Sequence, residues 1–224
     1  MKNIISVIMS VYNDQDNITN AIKSILDQTY QDFEFLIIDD CSTDNTYEIA
    51  KKFTKDPRIK LFKNKRNIGL TKSLNILIGK SNGNYIFRQD SDDVSLPQRF
   101  QSQLNVLEED IYQVCTSRAI NIQNDKIVPG ISSWIPKKIS IKYKNPYIHG
   151  TLAIKKTLLN SIGNYDEDYY YAQDFKLFLD LIQNNQKIYE IKKPLYKLNT
   201  INNISTINKN KQRYYFLKAI KQSK

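Results

Sequence analysis

Apolar residues run almost unbroken through residues 4–12, IISVIMSVY, with Ser6 and Ser10 interrupting at the alternation of a strand. The period then changes. Ile18, Ala21, Ile22, Ile25 and Leu26 recur at i, i+3, i+4, i+7 and i+8, which predicts the buried face of a helix. FEFLIID at 33–39 is a second apolar run, continuous enough for a strand covered on both faces. CSTDNT follows, and Ser42, Thr43 and Asp44 are candidates to cap the helix it opens. RIKLFKN at 58–64 predicts a third strand, and YIFRQ a fourth; Leu70, Leu74, Leu77 and Ile78 between them predict a helix closed near Gly83. SLPQRFQSQLNVLEE predicts a helix with Pro97 near its first turn. Strands alternating with helices in this order predict an α/β fold, a doubly wound and mostly parallel sheet flanked by helices.

The rhythm loosens in the second half. YQVCTSRAINI at 112–122 predicts a strand, and residues 123–147, with Pro129, Gly130, Trp134, Pro136 and Pro146, a long connection. GTLAIKK predicts a strand, TLLNSI a short helix ended by Gly163, DFKLFLDLIQNN an amphipathic helix, and 187–191 a further strand. The tail from Asn208 predicts a basic, aromatic helix. With neither a repeat nor a clean linker, the expectation is one domain over 1–206, with functional halves 1–122 and 123–206, followed by a helix at 207–224.

Composition changes this picture little. The chain has 224 residues, 41% hydrophobic and 25% charged, enough for one sizeable core. No stretch approaches the ~20 apolar residues of a membrane span, and the N-terminus lacks a small-residue cleavage site. Two cysteines, Cys41 and Cys115, make no disulfide framework, so a reducing, cytoplasmic compartment is expected. The net charge of +10 points to an anionic partner; a bias toward Lys, Asn and Ile in the chain is the alternative source of that charge.

Candidate chemistry gathers at strand ends. In open parallel sheets, ligands bind beyond the carboxyl ends of the strands. The first strand ends in Ser10, Tyr12, Asn13 and Asp14, the second in Asp39 and Asp40, the fourth in Asp90, Ser91, Asp92 and Asp93. Any one such Asp could be a helix cap; three polar ends on one rim predict a site. Crowded carboxylates bind hard cations such as Mg²⁺ or Mn²⁺ through oxygen, and such a cation also takes substrate phosphates. Tyr12 offers a face for a base, and Asp40 an acceptor for a base or ribose.

SVIMSVYND, FLIIDDCSTDNT, NKRNIGL, YIFRQDSDDVSLPQRF and YAQDFKLFLDL stand in the order found in family-2 glycosyltransferases of the GT-A fold. From about residue 4 to residue 206 the chain resembles that family. The resemblance implies a Rossmann-like GT-A domain that transfers a sugar, with inversion, from a nucleotide sugar (a UDP-sugar by default) with a divalent metal, Mn²⁺ or Mg²⁺. It implies that Ser10, Tyr12, Asp14 and Asp40 contact the nucleoside and that Asn67 and Gly69 line its pocket. It implies that Asp90, Asp92 and Asp93 form the DxD-type element that binds ribose, metal and diphosphate, with Asp92 and Asp93 on the metal and Ser91 touching the nucleotide sugar. Asp174 falls where the family has its catalytic base, and Gln173 replaces the Glu that usually precedes it. His149, Tyr165 and Gln173 would lie on the acceptor side; the acceptor would be a glycan, a lipid-linked glycan or a protein.

Two departures stand out. Leu74 occupies a position where relatives often have Arg, leaving Lys72 as the nearby cation of the nucleotide pocket. LYKLNTINNIS lacks the Tyr-Arg-x-His element found after the last strand in many relatives, leaving Lys197 or the metal to face the diphosphate. A sugar-nucleotide binder without turnover is therefore the alternative reading. A receiver domain would carry its acidic pair on the first strand, and an NAD-type oxidoreductase needs GxGxxG there; neither is present. A nucleotidyltransferase would need a Gly-rich basic loop after strand one, where this chain has SVYNDQDN. No motif supports nucleic-acid binding. In KNKQRYYFLKAIKQSK, Tyr214, Phe216, Leu217 and Ile220 lie among cations; a solvated helix packed on the domain is the first reading, and peripheral contact with the inner face of a membrane is expected only if that helix is free.

Overall fold

A computed structural model describes residues 5–130, 135–201 and 208–223. The strands are β1 (Ile5–Val11), β2 (Phe33–Asp39), β3 (Ile59–Lys63), β4 (Tyr85–Arg88), β5 (Val94–Ser95), β6 (Val114–Asn121), β7 (Ile127–Val128), β8 (Ala153–Lys155) and β9 (Ile188–Leu198). The helices are α1 (Ile18–Leu26), α2 (Thr46–Lys51), α3 (Leu70–Lys80), α4 (Arg99–Glu108), α5 (Lys137–Ser140), α6 (Lys156–Ser161), α7 (Gln173–Gln183) and α8 (Lys209–Gln222).

Among the described residues these strands form one sheet in the order β3-β2-β1-β4-β8-β6-β9-β5, with β7 paired to β6. β3, β2, β1 and β4 are mutually parallel, as the alternation of strand and helix predicts. β8 then runs antiparallel to both β4 and β6, while β6 and β9 pair in parallel. The register puts Val11 opposite Asp39 and Ile8 opposite Arg88. The polar ends of β1, β2 and β4 therefore reach the same edge of the sheet.

Strand alternation sends side chains to two cores. Val7, Met9, Phe35, Ile37 and Phe87 pack with Ile22 and Ile25 of α1 and with Phe100 and Leu104 of α4. Ile8, Leu36, Ile38 and Ile86 face the other way, onto Leu74 and Leu77 of α3, Leu159 of α6 and Phe178 of α7. Each fully buried side chain of this size contributes roughly 1.5–3 kcal/mol of transfer free energy. Both faces of the sheet are covered, the doubly wound arrangement.

Several local expectations change. Asn45 stands at the N-cap of α2 without a side-chain cap bond, but Asp44 accepts from Thr46 N–H, the first of that helix, at 2.9 Å, while Ser42 and Thr43 bond Asn13 instead. Pro97 lies outside α4, one residue before its N-cap Gln98. The long connection contains β7 and α5, and β9 runs to Leu198 rather than ending at 191. The tail helix packs on the domain, as the first reading of its sequence has it, and is not free. Tyr215, Phe216 and Ile220 of α8 pack against the core, with the Phe216 ring 4.3 Å from that of Phe175 in α7. The Tyr169 hydroxyl donates to Gln222 Oε1 at 2.5 Å. No described helix is long and apolar enough to cross a membrane.

Candidate active site

The loops after β1 and β2 are laced together. Asn13 takes a left-handed φ of 49°, and its backbone N–H donates to Ser42 Oγ at 2.9 Å. Thr43 N–H donates back to Asn13 Oδ1 at 2.8 Å, Asp14 N–H to Thr46 Oγ1 at 2.8 Å, and Gln15 N–H to Asp44 Oδ2 at 3.3 Å. The residues expected to cap α2 thus fix Tyr12 and Asp14 at the rim. Asp40 is buried, and its carboxylate holds the loop before α3. It accepts from Asn64 Nδ2 at 2.7 Å, Ile68 N–H at 2.9 Å and Gly69 N–H at 2.8 Å. Gly69 has φ 88°, and a Cβ there would lie 2.5 Å from the Tyr170 ring. Only glycine allows that ring to close over the loop. Tyr12 and Tyr170 are each 49% exposed, two aromatic faces at the same mouth.

The acidic loop after β4 is held from below by two buried guanidinium groups. Arg88 is 1% exposed, and its Nη2 donates to Asp90 Oδ1 at 2.5 Å. Arg99, 0% exposed, donates to Gln103 Oε1 at 3.0 Å, Gln89 Oε1 at 3.1 Å, Ser95 Oγ at 2.8 Å and the Arg88 carbonyl at 2.6 Å. Burial lowers Arg99 to about 10, so it stays protonated at neutral pH. Gln89 Nε2 donates to the carbonyls of Asp90 and Asp93, closing the loop. Tyr196 accepts from Asp90 N–H at 3.1 Å and hydrogen-bonds the Asp93 carboxyl. Burial, then the charges of Asp90 and Asp14, push Asp92 up to about 7. Asp93 is raised by burial, Asp90 and Asp92, although Asn199 N–H donates to its Oδ1 at 2.7 Å. Asp14 is also raised by burial, while Ser91 Oγ donates to its Oδ2 at 2.5 Å.

α7 aims the third component. Its N-cap is Ala172, at φ 55°, and Gln173 and Asp174 form its first turn. Asp174 Oδ2 accepts from Asn145 Nδ2 at 2.7 Å. The short 3₁₀ turn at His149–Thr151 brings in the chain's one histidine, whose Nε2 lies 2.7 Å from the Tyr165 hydroxyl. Burial, reinforced by the charge of Arg88, holds His149 down at about 4, so its imidazole is neutral. Beside it, a Cβ at Gly150 would stand 2.5 Å from the Tyr196 oxygen and 2.8 Å from Asp90 Oδ2.

These three components line one cavity of about 660 Å³, within the range of small-molecule sites. Ser10, Tyr12, Asp14, Asp40, Asn67, Gly69, Asp90, Ser91, Asp92, Asp93, His149, Gln173 and Asp174 all reach its wall. Three expected residues do not. Lys72 is exposed on α3, away from the wall. Lys197 is exposed on β9, with Tyr196 rather than Lys197 turned inward. Tyr165 is buried behind His149. Arg88 and Asn199 were not anticipated as wall residues; Tyr170 and Tyr171 belong to the tyrosine run IGNYDEDYYY, which resembles the family's acceptor-side segment and has half-buried packing as its alternative, and they also reach the wall. The tyrosine run beside the base segment is a visible signal; a buried strand arginine gives none.

Among the described residues no three His, Cys, Asp or Glu side chains converge as a ready-made metal cage. The carboxylates still suit a hard cation. Mg²⁺ and Mn²⁺ sites often use one or two carboxylates, the remaining positions going to water and substrate phosphate. The raised Asp92, crowded by Asp90 and Asp14, is a group whose ionised form a cation would favour.

Residues 6–163 match the model of Glycosyl transferase family 2, and the chain belongs to this family. Its sheet, with helices on both sides, has the GT-A fold. EpsE of Bacillus subtilis (strain 168), named as a glycosyltransferase, is 32% identical over 87% of this chain and 72% of its own. WfaP of Escherichia coli, named as a UDP-Glc:alpha-D-GlcNAc-diphosphoundecaprenol beta-1,3-glucosyltransferase, is 30% identical over 82% of this chain and 72% of its own. Among solved structures, S. aureus TarS 1–349 in complex with UDP-GlcNAc superposes with a TM-score of 0.80 at 22% identity, over 98% of this chain and 66% of that one. The mannosyltransferase PcManGT from Pyrobaculum calidifontis, in complex with GDP-Man and Mn²⁺, gives 0.75 at 16% identity, over 96% of this chain and 62% of that one. The chain thus spans a little under two thirds of each of these structural neighbours.

Proposed function

We propose that this glycosyltransferase moves a sugar from a nucleoside-diphosphate sugar, with UDP as the first choice of nucleotide, to a hydroxyl of a glycan, lipid-linked or protein acceptor, inverting the anomeric centre. The observation that carries the reading is that the Asp174 carboxylate and the acidic loop open into the same cavity as the Tyr12 and Tyr170 rings. The named donors of WfaP and TarS, UDP-Glc and UDP-GlcNAc, support the choice of uridine.

In this reading the base packs between Tyr12 and Tyr170, and Asp14 and Asn67 contact the nucleoside. Asp92, with Asp93 behind it, would hold Mn²⁺ or Mg²⁺. When bound, that cation supplies positive charge to offset the charge developing on the leaving diphosphate. Arg88 adds a fixed cation at the same wall, a role expected of Lys72 or Lys197 from sequence. Asn145 occupies one oxygen of Asp174, leaving the other free to accept the proton of the acceptor hydroxyl. That hydroxyl oxygen attacks the anomeric carbon as the bond to the diphosphate oxygen breaks. Attack from the face opposite the leaving group inverts the centre.

The test is a melting-temperature and calorimetric titration with UDP and GDP, with Mn²⁺ or EDTA, followed by turnover of labelled UDP-sugars. UDP with Mn²⁺ should raise the melting temperature, and Asp92→Asn should weaken that binding without unfolding the chain. Binding unchanged by EDTA and by the substitution removes the metal assignment. Tight nucleotide binding with no hydrolysis or transfer of any donor would favour the binding-protein alternative.

A further inference from the structure

We propose that the outward face of residues 135–144 is a docking surface for anionic phospholipid. Ile135, Ile139 and Tyr143 are 46%, 52% and 78% exposed, at successive four-residue steps. Backbone bonds from Ile139 N–H to Pro136 O, Ser140 N–H to Pro136 O, Ile141 N–H to Lys137 O and Lys144 N–H to Ser140 O carry helical turns through this segment. At that pitch, Ile139 and Tyr143 share one face. Lys138 and Lys142, also exposed, lie beside them.

The segment is anchored, so its apolar exposure is a fixed property of the surface. Ile141 belongs to the core, and Ser140 is buried. Lys137 turns inward to pair with Glu190 at 3.1 Å and sits 5.2 Å over the Tyr147 ring. Scattered exposed apolar residues are ordinary on soluble proteins. Here Ile139 and Tyr143 recur at one-turn spacing with Lys138 and Lys142 beside them, and exposed Ile135 stands just before the first turn. From residue 126 to 165 the chain has no Asp or Glu and seven Lys (126, 137, 138, 142, 144, 155 and 156). Interleaved apolar and cationic side chains on one face match the two layers of a membrane surface, with acyl boundary below and anionic headgroups around it. A second copy of the chain fits less well. A two-fold contact here would set Lys138 and Lys142 against their own equivalents.

The position also bears on the site. Asn145, directly after Lys144, is the donor to Asp174. If the proposed transfer holds, a lipid-borne acceptor would meet the chain at the cavity end that reads it; the docking surface itself does not depend on that reading. This locates membrane contact away from α8, whose Phe216 and Ile220 are turned to the core.

The experiment is vesicle co-sedimentation of the full chain at low salt, without donor. Phosphatidylglycerol–phosphatidylcholine vesicles are compared with phosphatidylcholine alone. Trp134, the chain's one tryptophan and the neighbour of Ile135, gives an emission readout. Binding should require the anionic lipid. It should fall about tenfold or more in Ile139→Glu with Tyr143→Glu, and comparably in Lys138→Gln with Lys142→Gln. Melting temperature and UDP affinity should stay unchanged in both, which separates loss of docking from misfolding or failure of the donor site. Equal sedimentation of parent and variants overturns the proposal. So does loss of binding only in Tyr214→Glu with Leu217→Glu, which would assign the contact to α8. A dimer that these variants dissolve, with no vesicle binding by the parent, would instead make the face a contact between copies.

Discussion

At Asp174 two roles compete for one carboxylate, helix cap and proton acceptor. The geometry removes the first, because Ala172 is the N-cap of α7 and no side chain caps it. Asp174→Asn then loses only its favourable place in the first turn, about 0.3–1 kcal/mol. Asparagine cannot accept the acceptor's proton, so transfer should fall by a factor on the order of 10² or more. Nucleotide affinity should hold, and melting should shift by only a few degrees. Turnover measured beside calorimetry and melting checks this, and near-normal transfer would remove Asp174 as the base; its sequence neighbours Asp166 and Glu167 line a separate pocket and are not on this cavity's wall. Positions on the cavity wall were legible where polar residues sit at a strand end, as with Tyr12, Asp14, Asp40 and Asp92. They were less legible where phase decides. Leu70 reaches the cavity wall, and Lys72, two residues on, is turned by roughly 200° to the far side of the helix. Strand alternation does the same to Lys197 beside Tyr196. Arg88 and Arg99 look like surface residues in sequence; only tertiary packing supplies the carbonyls, amides and carboxylate that let them be buried.

Among the elements, β1 to β4 and α1, α3 and α7 were readable because each carries a sustained apolar period. β8 and β5 were harder, since three- and two-residue strands hold no period and are defined by their partners β4, β6 and β9. β2 carries its own pH lever at the end away from the cavity. Glu34 accepts from Ser6 Oγ at 2.6 Å, Lys60 Nζ at 2.8 Å and Asn82 N–H at 2.5 Å, tying β1 and β3 to the turn before β4. Burial alone would raise its carboxyl, but the bonds from Lys60, Ser6 and Asn82 outweigh that and bring it to about 2, from an ordinary 4.5. The folded state therefore holds the proton less tightly than the unfolded chain. The stability Glu34 contributes is full above pH 4.5 and is lost as pH falls toward 2. Glu34→Gln should cost about 1–3 kcal/mol at neutral pH, with the two stability curves converging in acid. Urea unfolding across that range is the measurement; parallel curves would sever the link.

For the molecule as a whole, the sequence boundary before α8 did not reveal how firmly that helix is held. Removing residues 208–224 would uncover Phe175 and Tyr169, take Ala219 out of the core and strip away Phe216 and Ile220, which pack against it. The loss should reach roughly 3 kcal/mol, a fall in melting temperature on the order of 10 °C. A truncated chain that melts like the parent would mean α8 contributes nothing to the domain. The two arginines under the acidic loop have an effect at this scale too. Arg88 and Arg99 bring two fixed positive charges to the three carboxylates of Asp90, Asp92 and Asp93. The loop has covalently attached counter-ions, and bonds from Arg88, Gln89 and Asn199 and to Tyr196 tie it in place. On the proposed reading, a lone divalent cation would meet carboxylates already partly offset by Arg88 and Arg99, and would be held less tightly than by three bare carboxylates. It gains most when it arrives with an anion of its own, so cation and diphosphate would enter and leave together, one pair for each turnover.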